Sequence, residues 1–506
     1  MALKQPTRSA GLVPCFLIGC SVALMVLVGA LGPSAAVLPL SPHGSGDSPP
    51  AALVTALLAI AAVFGALGVV LGVRALWSGW APSPKRLLAA GILATAAVLL
   101  VPPMATADVG SYAAYGRMVV LHHDPYVTSP RDLASDPVVG AAEAPWLDAP
   151  SVYGPLATGE QAFVARLGGD SRATVLRGLA VLSGIVFLAT GLLLDVAARG
   201  GRDPLRRRRF VALLWICNPL LIMQLVAAGH VDGLLCLLVL AGVLVAARRP
   251  AVAGALLGLA AAVKATAVVP ALGVLAALRP RRALAELVCA GIGVTVIAYA
   301  SAGGWHVLSP ARSASRAVSR GTPWRWLTSG LERVLPHSAA RDIVLYAAVL
   351  LAVALAVRMF RRLPEGPAPV VRSAFLAVLA WTLVAPYALP WYDALAWCLL
   401  GALVATSGLP RPDWTVVLLA VHTGVLTVAY LPGRTVPLGE PLGHAMNAIR
   451  SGVAPLVAAA CFLAAWLWGP AGVSREGDRK TAETPETPET AAPTREQQPD
   501  NAGQNA

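Results

Sequence analysis

The sequence predicts an all-α polytopic membrane protein, and three observations support this fold class. Of the 506 residues, 57% are hydrophobic and 13% are charged, which is roughly half the charged fraction of a typical soluble domain. The mean hydropathy is +0.68. Apolar runs close to the roughly 20 residues that cross a bilayer recur along the chain. These features exclude a soluble multidomain enzyme, a disordered chain and a disulfide scaffold.

The apolar runs and the basic residues between them predict the membrane layout. The net charge of +13 reports first on topology, because lysine and arginine concentrate in cytoplasmic connections. If every second connection, rich in basic residues, lies in the cytoplasm, the chain has about twelve spans and both termini are inside. The runs lie at about 11–32, 51–73, 87–103, 173–198, 210–228, 234–247, 251–278, 283–301, 341–358, 371–389, 393–408, 414–430 and 449–468.

The run 251–278 breaks this alternation, because arginines flank it on both sides, from Arg248 before it and from Arg279 after it. One span cannot place both of its ends in the cytoplasm. We therefore expect two half-helices that form a re-entrant hairpin with Lys264 near its tip, in backbone satisfied by surrounding protein. One long kinked helix is the alternative.

Two outer loops differ in composition from the rest of the predicted transmembrane domain, residues 1–470, and a tail of a third composition follows it. Long outer loops are expected at 104–172 and 303–340, and long loops in compact proteins are often functional. Residues 471–506 carry Glu-Thr-Pro repeats without large apolar side chains. Such a tail cannot bury enough surface to order itself, so we expect a disordered cytoplasmic extension without chemistry.

The first outer loop combines carboxylates with aromatic rings, a composition that suits sugar binding but also fits an ordinary solvated loop. Asp108 follows Pro102 and Pro103, which stop the preceding helix. A partly desolvated carboxylate at the membrane surface can act as a general base. The alternative is that Asp108 caps the next helix.

The second outer loop is basic, contrary to the usual charge bias. Arg312, Arg316 and Arg320 recur every four residues, so they would share one face if the segment were helical. A basic outer face needs an anion, either a substrate phosphate or a phospholipid head group. Lys264 is the only lysine inside an apolar run. Ionisable residues in the membrane indicate function unless they snorkel to the surface.

Two further turns are predicted on the outer side. Gly229–Gly233 carries His230 and Asp232, and Asp232 has helix capping as its alternative role. Trp391 and Tyr392 follow Pro390, where interfacial aromatic residues are the alternative. The seven cysteines lie in apolar runs without metal-ligand spacing.

Taken in order, these elements resemble the actinobacterial polyprenol-phosphomannose-dependent α-1,6-mannosyltransferases of the MptB type. The similarity covers about 104–400. The shared elements are Asp108-Val109 with Ser111-Tyr112 and Gly116, Asp124-Pro125-Tyr126, Tyr153-Gly154-Pro155-Leu156, Asn218-Pro219-Leu220, Gly229-His230 with Asp232, Lys264, and Pro390-Trp391-Tyr392.

The resemblance implies a glycosyltransferase of the GT-C architecture in the cytoplasmic membrane, with its active site on the outer face. It implies that Asp108 is the general base. The outer loops contain no Asp-x-Asp motif and protein cations can neutralise a phosphate, so we expect no obligatory metal and no other cofactor. The expected partners are a polyprenyl-phosphomannose donor, a mannoside or lipomannan-type acceptor and membrane lipid, without nucleic acid. The candidate donor-phosphate residues are Lys264, Arg312, Arg316 and Arg320, and the candidate sugar or acceptor residues are Tyr112, Asp124, Tyr126, Tyr153, His230, Asp232, Trp391 and Tyr392.

Three other functions stay open at this level. A related GT-C enzyme that transfers arabinofuranose or glucose from a prenyl phosphate would carry the same motifs. A flippase for lipid-linked sugars would need polar residues along several spans, whereas the polar groups here crowd one side. A structural scaffold would give Asp108 no task.

Overall fold

The computed structural model describes residues 8–41, 48–200, 203–362, 368–407 and 414–468. Within these ranges the regular structure is helical, apart from one isolated bridge between Val37 and Met104, which confirms the all-α prediction. The predicted tail at 471–506 lies outside the described residues. The helices are α1 (Leu12–Ala30), α2 (Ala51–Trp77), α3 (Pro84–Leu99), α4 (Asp108–Val120), α5 (Pro155–Gly168), α6 (Arg172–Ala197), α7 (Pro204–Leu214), α8 (Pro219–Leu221, continued by a wide turn Ile222–Ala227), α9 (Asp232–Val245), α10 (Pro250–Val263), α11 (Val268–Ala277), α12 (Arg281–Ser301), α13 (Leu308–Ala314), α14 (Trp324–Leu331), α15 (His337–Arg362), α16 (Pro369–Val384), α17 (Ala394–Ser407), α18 (Trp414–Ala429), α19 (Glu440–Ala448) and α20 (Ala454–Trp468).

Several helices are suited to a membrane. Six helical segments are long and apolar enough to cross one, namely α1, α2, α6, α12, α15 and the continuous segment of α19 and α20, and α7 with α8 forms a bent pair that would make a seventh. Five shorter apolar helices lie among them. Large apolar side chains face outward, for example Ile297, which is 70% exposed, and Leu350, which is 71% exposed. This surface supports a polytopic membrane protein, whereas the number of twelve spans stays a prediction.

Proline sets the start of many helices. α3, α5, α7, α10 and α16 each have proline in the first turn. Proline is favourable there because its missing N–H would have no helical partner and its φ is already helical. The short apolar helices therefore begin at defined residues, which fixes the loops that precede them.

The chain reverses direction at Lys264. Gly254 packs against the Leu287 carbonyl and Gly258 packs against the Gly291 carbonyl, so α10 and α12 run side by side in the same direction. α11, which lies between them in the sequence, must therefore run in the opposite direction. The alternative of a single kinked helix is wrong. The 14 residues of α10 rise about 21 Å, less than the ~30 Å of a hydrocarbon core.

One end of the bundle collects the long connections, and we call it the loop-rich end: residues 31–41, 100–154, 302–323 and 430–439. Arg434 connects three of these segments, because it donates to Glu143 Oε1 at 2.6 Å and to the Ser34 carbonyl at 2.7 Å. The Met104 N–H donates to the Ala227 carbonyl at 2.8 Å. Segments far apart in sequence thereby form one layer over the helices.

Candidate active site

Asp108 is the first residue of α4, and its backbone is anchored by Thr106. The Asp108 N–H donates to Thr106 Oγ1 at 3.0 Å. The capping position itself is occupied by Ala107, whose side chain has no hydrogen-bonding group, and Asp108 follows it inside the helix. The capping alternative for Asp108 is therefore wrong. Its carboxylate is 13% exposed and lies 4.0 Å from His230 Nδ1.

A chain of buried polar groups extends from Asp108. His230 Nδ1 is 2.8 Å from the Tyr112 hydroxyl. The Tyr153 hydroxyl donates to the Tyr112 oxygen at 3.3 Å, and the two rings meet edge to face. The fold thus brings together three side chains that the sequence predicts as sugar or acceptor ligands, from α4, the Tyr-Gly-Pro element and the turn before α9.

Lys264 is paired inside the protein. Its Nζ donates to Asp232 Oδ1 at 2.8 Å and lies 3.7 Å from the centre of the Tyr392 ring. The Lys264 side chain is 12% exposed, so the snorkelling alternative is wrong. Val231, not Asp232, occupies the capping position of α9. The reversal after α10 therefore delivers a cation to the turn that carries His230 and Asp232.

The turn Pro390–Asp393 completes the wall of the site. The Trp391 ring stacks on His230, with centroids 3.9 Å apart. Asp393 holds the turn in place by accepting from Thr423 Oγ1 at 2.8 Å, and its carboxylate lies 2.8 Å from His422 Nδ1. The sequence reasoning missed Asp393 and His422, although an ionisable residue within an apolar run, as His422 is, was the available signal.

Burial controls the charge of Asp108. The pKa of its carboxyl is raised to about 7, and desolvation is the largest cause. The nearby Lys264 cation lowers this pKa, Asp232 raises it and a hydrogen bond from the Trp146 indole lowers it. A carboxyl that titrates near neutral pH is matched to general base catalysis. Trp146 was not among the predicted site residues, because nothing in the sequence links it to position 108.

A small cavity of about 30 Å³ adjoins this cluster, and Asp232, Thr266, Tyr387 and Tyr392 are among its lining residues. The Asp108 carboxylate acts electrostatically on both tyrosines. Tyr387 is a further residue that the sequence reasoning missed. Asp232 of the ion pair and aromatic rings therefore border this space, and the Asp108 carboxylate lies within electrostatic reach of two of those rings.

Asp124 and Tyr126 lie apart from this cluster. Asp124 Oδ2 is 2.8 Å from His306 Nε2, and the Tyr126 hydroxyl donates to Thr158 Oγ1 at 2.8 Å. These contacts join the two long connections at the rim of the loop-rich end. A role in acceptor binding for either residue stays a prediction.

The common helix face expected for Arg312, Arg316 and Arg320 is wrong. α13 ends at Ala314, so only Arg312 is helical. Serines and Gly321 follow, which are poor helix formers, and the Ser319 N–H donates instead to the Pro386 carbonyl at 2.9 Å. Arg316 pairs with Asp342 at 2.9 Å. Of the three, Arg320 is the one in the segment bound to the 386–388 connection.

No three histidine, cysteine or acidic residues lie close enough to hold a metal ion within the part of the chain that the structure describes. The ionisable groups at the site are instead arranged as a carboxylate, a neutralised Lys-Asp pair and a buried imidazole. This arrangement can accept a proton from a hydroxyl and bind sugar faces on aromatic rings.

Comparison with known proteins identifies relatives of this arrangement. A probable alpha-(1->6)-mannopyranosyltransferase of Mycolicibacterium smegmatis is 36% identical over 160 residues, which cover 30% of this chain and 27% of the relative. Alpha-(1->6)-mannopyranosyltransferase B of Corynebacterium glutamicum is 28% identical over 243 residues, covering 43% and 38%. Alpha-(1->6)-mannopyranosyltransferase A of the same species is 29% identical over 176 residues, covering 34% of each chain.

These alignments span between about a quarter and two fifths of the length of the relatives. No solved structure matches the chain. The family model described as "Alpha-(1->6)-mannopyranosyltransferase, N-terminal domain" matches residues 16–280, which include Asp108, His230, Asp232 and Lys264. Because that match covers more than half of the 506 residues, the chain belongs to the alpha-(1->6)-mannopyranosyltransferase family of the MptA and MptB type.

Proposed function

We propose that this protein transfers mannose from polyprenyl-phosphomannose to the 6-hydroxyl of a mannose-containing acceptor, at the outer face of the cytoplasmic membrane. The product would be α-1,6-mannan of a cell-envelope glycolipid. The observation that carries the proposal is Asp108, a nearly buried carboxylate beside His230 and within electrostatic reach of Lys264. Family membership supports the class of reaction.

In the proposed reaction Asp108 is the base. Its carboxylate takes the proton of the acceptor 6-hydroxyl while that oxygen attacks the anomeric carbon of the donor. The bond between the anomeric carbon and the phosphate oxygen breaks, and its electron pair leaves with polyprenyl phosphate. Attack from the face opposite to the leaving group inverts a β-linked mannose to an α-linkage. The base needs only to lie within hydrogen-bond reach of the hydroxyl in the complex.

The surroundings of Lys264 suit a lipid-linked phosphate. A groove of about 340 Å³ begins beside this lysine, and Ala261, Ala265, Tyr299 and Leu308 are among its mostly apolar lining residues. An apolar groove next to a cation matches a prenyl chain that carries a phosphate. Negative charge that develops on the leaving phosphate is stabilised by positive groups already in place.

The sugar-binding side is supported by polar atoms without partners. His230 Nε2 and Asp232 Oδ2 are buried and have no hydrogen-bond partner among the described residues. Buried polar atoms are rarely left unpaired without reason. Sugar hydroxyls would satisfy both atoms, and the rings of Trp391 and Tyr392 offer faces for apolar C–H surfaces. This geometry gives both turns a task in binding.

The same features favour transfer over transport. The ionisable groups of the site meet near the loop-rich end, whereas a flippase for lipid-linked sugars would need a polar path along several spans. The reversal at Lys264 fits a GT-C bundle of about twelve spans with a re-entrant hairpin. Arabinofuranose or glucose donors are the remaining alternatives within this architecture.

An assay of membranes tests the proposal. Membranes with the protein, radiolabelled polyprenyl-phosphomannose and short mannosides should give α-1,6-linked product on linkage analysis. Asp108→Asn should abolish transfer while expression and insertion stay normal, because the amide cannot accept the proton. Asp132→Asn is the matched control: Asp132 is an exposed acid of the same loop that accepts from the Ser129 N–H.

Transfer near the normal rate by purified Asp108→Asn protein would remove the base from the mechanism. Product formed only from an arabinofuranose or glucose donor would replace the proposed substrate and leave the class of enzyme intact.

A further inference from the structure

A second cationic cluster lies at the end of α18, around Tyr430. The Tyr430 hydroxyl is 2.5 Å from Ser319 Oγ. The Arg450 guanidinium lies 5.1 Å from the centre of the Tyr430 ring. Arg320 acts electrostatically on both Tyr430 and Arg450. Arg450 therefore lies over the Tyr430 ring, and Arg320, next to Ser319 in the sequence, lies within electrostatic reach of both.

The position of Arg450 is built by the fold. Arg450 lies in the π-helical turn Ile449–Val453 between α19 and α20. Single π-helical turns are frequent at functional sites. Its Nε donates to the Ala429 carbonyl at 2.8 Å. The neighbouring Ser451 carbonyl accepts from Trp326 Nε1 at 3.2 Å. These contacts fix Arg450, half-buried, against the segment that carries Arg320.

The charges of this cluster lack a matching acid. Neither Arg320 nor Arg450 forms an ion pair with a carboxylate in the ranges that the structure describes. Two guanidinium groups close to each other repel, and an anion with several oxygens relieves this repulsion while accepting their N–H groups. Arg316, by contrast, is already paired with Asp342.

The cluster adjoins the candidate active site. Tyr430 acts electrostatically on Tyr387 and Tyr392, which line the cavity beside Asp232. Lys264 is neutralised in its pair with Asp232, so it alone leaves a bound phosphate largely uncompensated. Ser319 Oγ donates at 2.7 Å to the carbonyl of Ala388, which lines the same cavity. Arg320 and Arg450 would therefore supply the missing positive charge next to this cavity.

We propose that Arg320 and Arg450, the two arginines beside Tyr430, bind the phosphate group of a membrane lipid. The occupant to which we commit is the polyprenyl phosphate portion of the donor and of the leaving product, which rests on the function proposed above. The head group of a bulk anionic phospholipid offers the same chemistry and is separated from it by the experiment. Arg450 lies beyond the region that the family model covers.

The test measures binding rather than transfer. Full-length protein carrying Asp108→Asn is placed in phosphatidylcholine nanodiscs and titrated with farnesyl phosphate. We expect Arg450→Ala and Arg320→Ala each to weaken binding about tenfold or more, the effect of losing one charge-assisted hydrogen bond. Arg450→Lys should restore part of the affinity. Arg333→Ala is the matched control, since Arg333 is an exposed arginine of the same connection.

Farnesol, which lacks the phosphate, should bind all variants equally. The nanodisc lipid is then changed so that phosphatidylglycerol replaces part of the phosphatidylcholine. If the alanine variants and the protein with both arginines now bind farnesyl phosphate equally, phosphatidylglycerol occupies the site, which overturns the donor as occupant and assigns the site to bulk phospholipid. Unchanged affinity in both alanine variants, with intact thermal unfolding, would overturn the site itself. The titration measures the binding of a lipid phosphate that has no sugar to transfer. It therefore tests the phosphate site separately from the proposed transfer reaction.

Discussion

Asp108 shows how a single residue acquires its chemistry from its surroundings. Its sequence position after two prolines places the carboxylate, but its protonation depends on groups that are distant along the chain. Desolvation is the largest influence and the Lys264 cation opposes it. A carboxyl in this balance is able to change charge near neutral pH, where an exposed aspartate stays ionised.

The first prediction is a pH dependence of transfer. The proposed base works only when deprotonated, and its pKa is raised from 3.8 to about 7. Activity is therefore present above pH 7 and is lost as the pH falls, to about a tenth at one unit below the pKa. The measurement is kcat/KM from pH 5.5 to 8.5, which reports on the free enzyme.

Asp108→Glu serves as the control for this profile, because it keeps a titratable carboxyl and should retain an acidic limb at lower activity. A flat profile of the wild-type protein across this range would contradict the assignment of Asp108 as base.

Much of the site was predictable from the residues, because its ionisable members stand out in apolar sequence. Asp108, His230, Asp232 and Lys264 meet as the motifs suggested. Arg450 and Tyr387 were not predictable, since they resemble ordinary residues at helix ends. Their roles arise from packing between segments more than one hundred positions apart, and no local pattern reports such packing.

At the scale of elements, charge patterns predicted more than helical spacing did. Arginines on both sides of 251–278 indicated the reversal at Lys264, because membrane sidedness constrains the whole segment. The four-residue spacing of Arg312, Arg316 and Arg320 predicted one helix through all three residues. In the structure this helix already ends at Ala314. A weak local preference was overridden there by the hydrogen bond from Ser319 to the 386–388 connection.

The second prediction concerns the contact between the Tyr-Gly-Pro element and the tip after α10. The Gly154 N–H donates to the Val263 carbonyl at 3.0 Å, and a Cβ at this position would lie 2.2 Å from the Ala262 carbonyl oxygen. Gly154→Ala should therefore push α5 away from the tip and destabilise the protein by about 1–3 kcal/mol. Transfer should also fall, because Tyr153 and Lys264 flank this contact.

Thermal unfolding in detergent and transfer activity measure both effects. Gly159→Ala is the control within the same helix, since a Cβ there meets nothing within 4 Å. That change should leave stability equal or higher by about 0.5–1 kcal/mol, as alanine is the better helix former. Equal behaviour of the two variants would show that the close approach at Gly154 has no energetic importance.

At the scale of the whole molecule, the bundle separates its charges. The Arg208 and Arg199 side chains pair with Asp195 at the end of α6, while the candidate site and both long connections lie at the loop-rich end. Arg434 joins three parts of the chain at this end, because it pairs with Glu143 and donates to the Ser34 carbonyl. A single orientation in the membrane would place all of the proposed chemistry on one side.

The third prediction is that orientation. The alternation of basic connections places the loop-rich end outside the cytoplasm, where an acceptor of the cell envelope would be available. A cysteine replacing the exposed Arg333 should react with an impermeant maleimide in intact cells. A cysteine replacing the exposed Arg361 at the end of α15 should react only after permeabilisation.

The native cysteines provide the background for this measurement, and the protein without either substitution should remain unlabelled in intact cells because its exposed Cys15 and Cys289 lie on apolar helices. Labelling of the Arg361→Cys protein but not of the Arg333→Cys protein would invert the orientation. The carboxylate of Asp108 would then face the cytoplasm, where transfer to an outer acceptor has no physical route, and the proposed reaction would have to be abandoned even if the geometry of the site were correct.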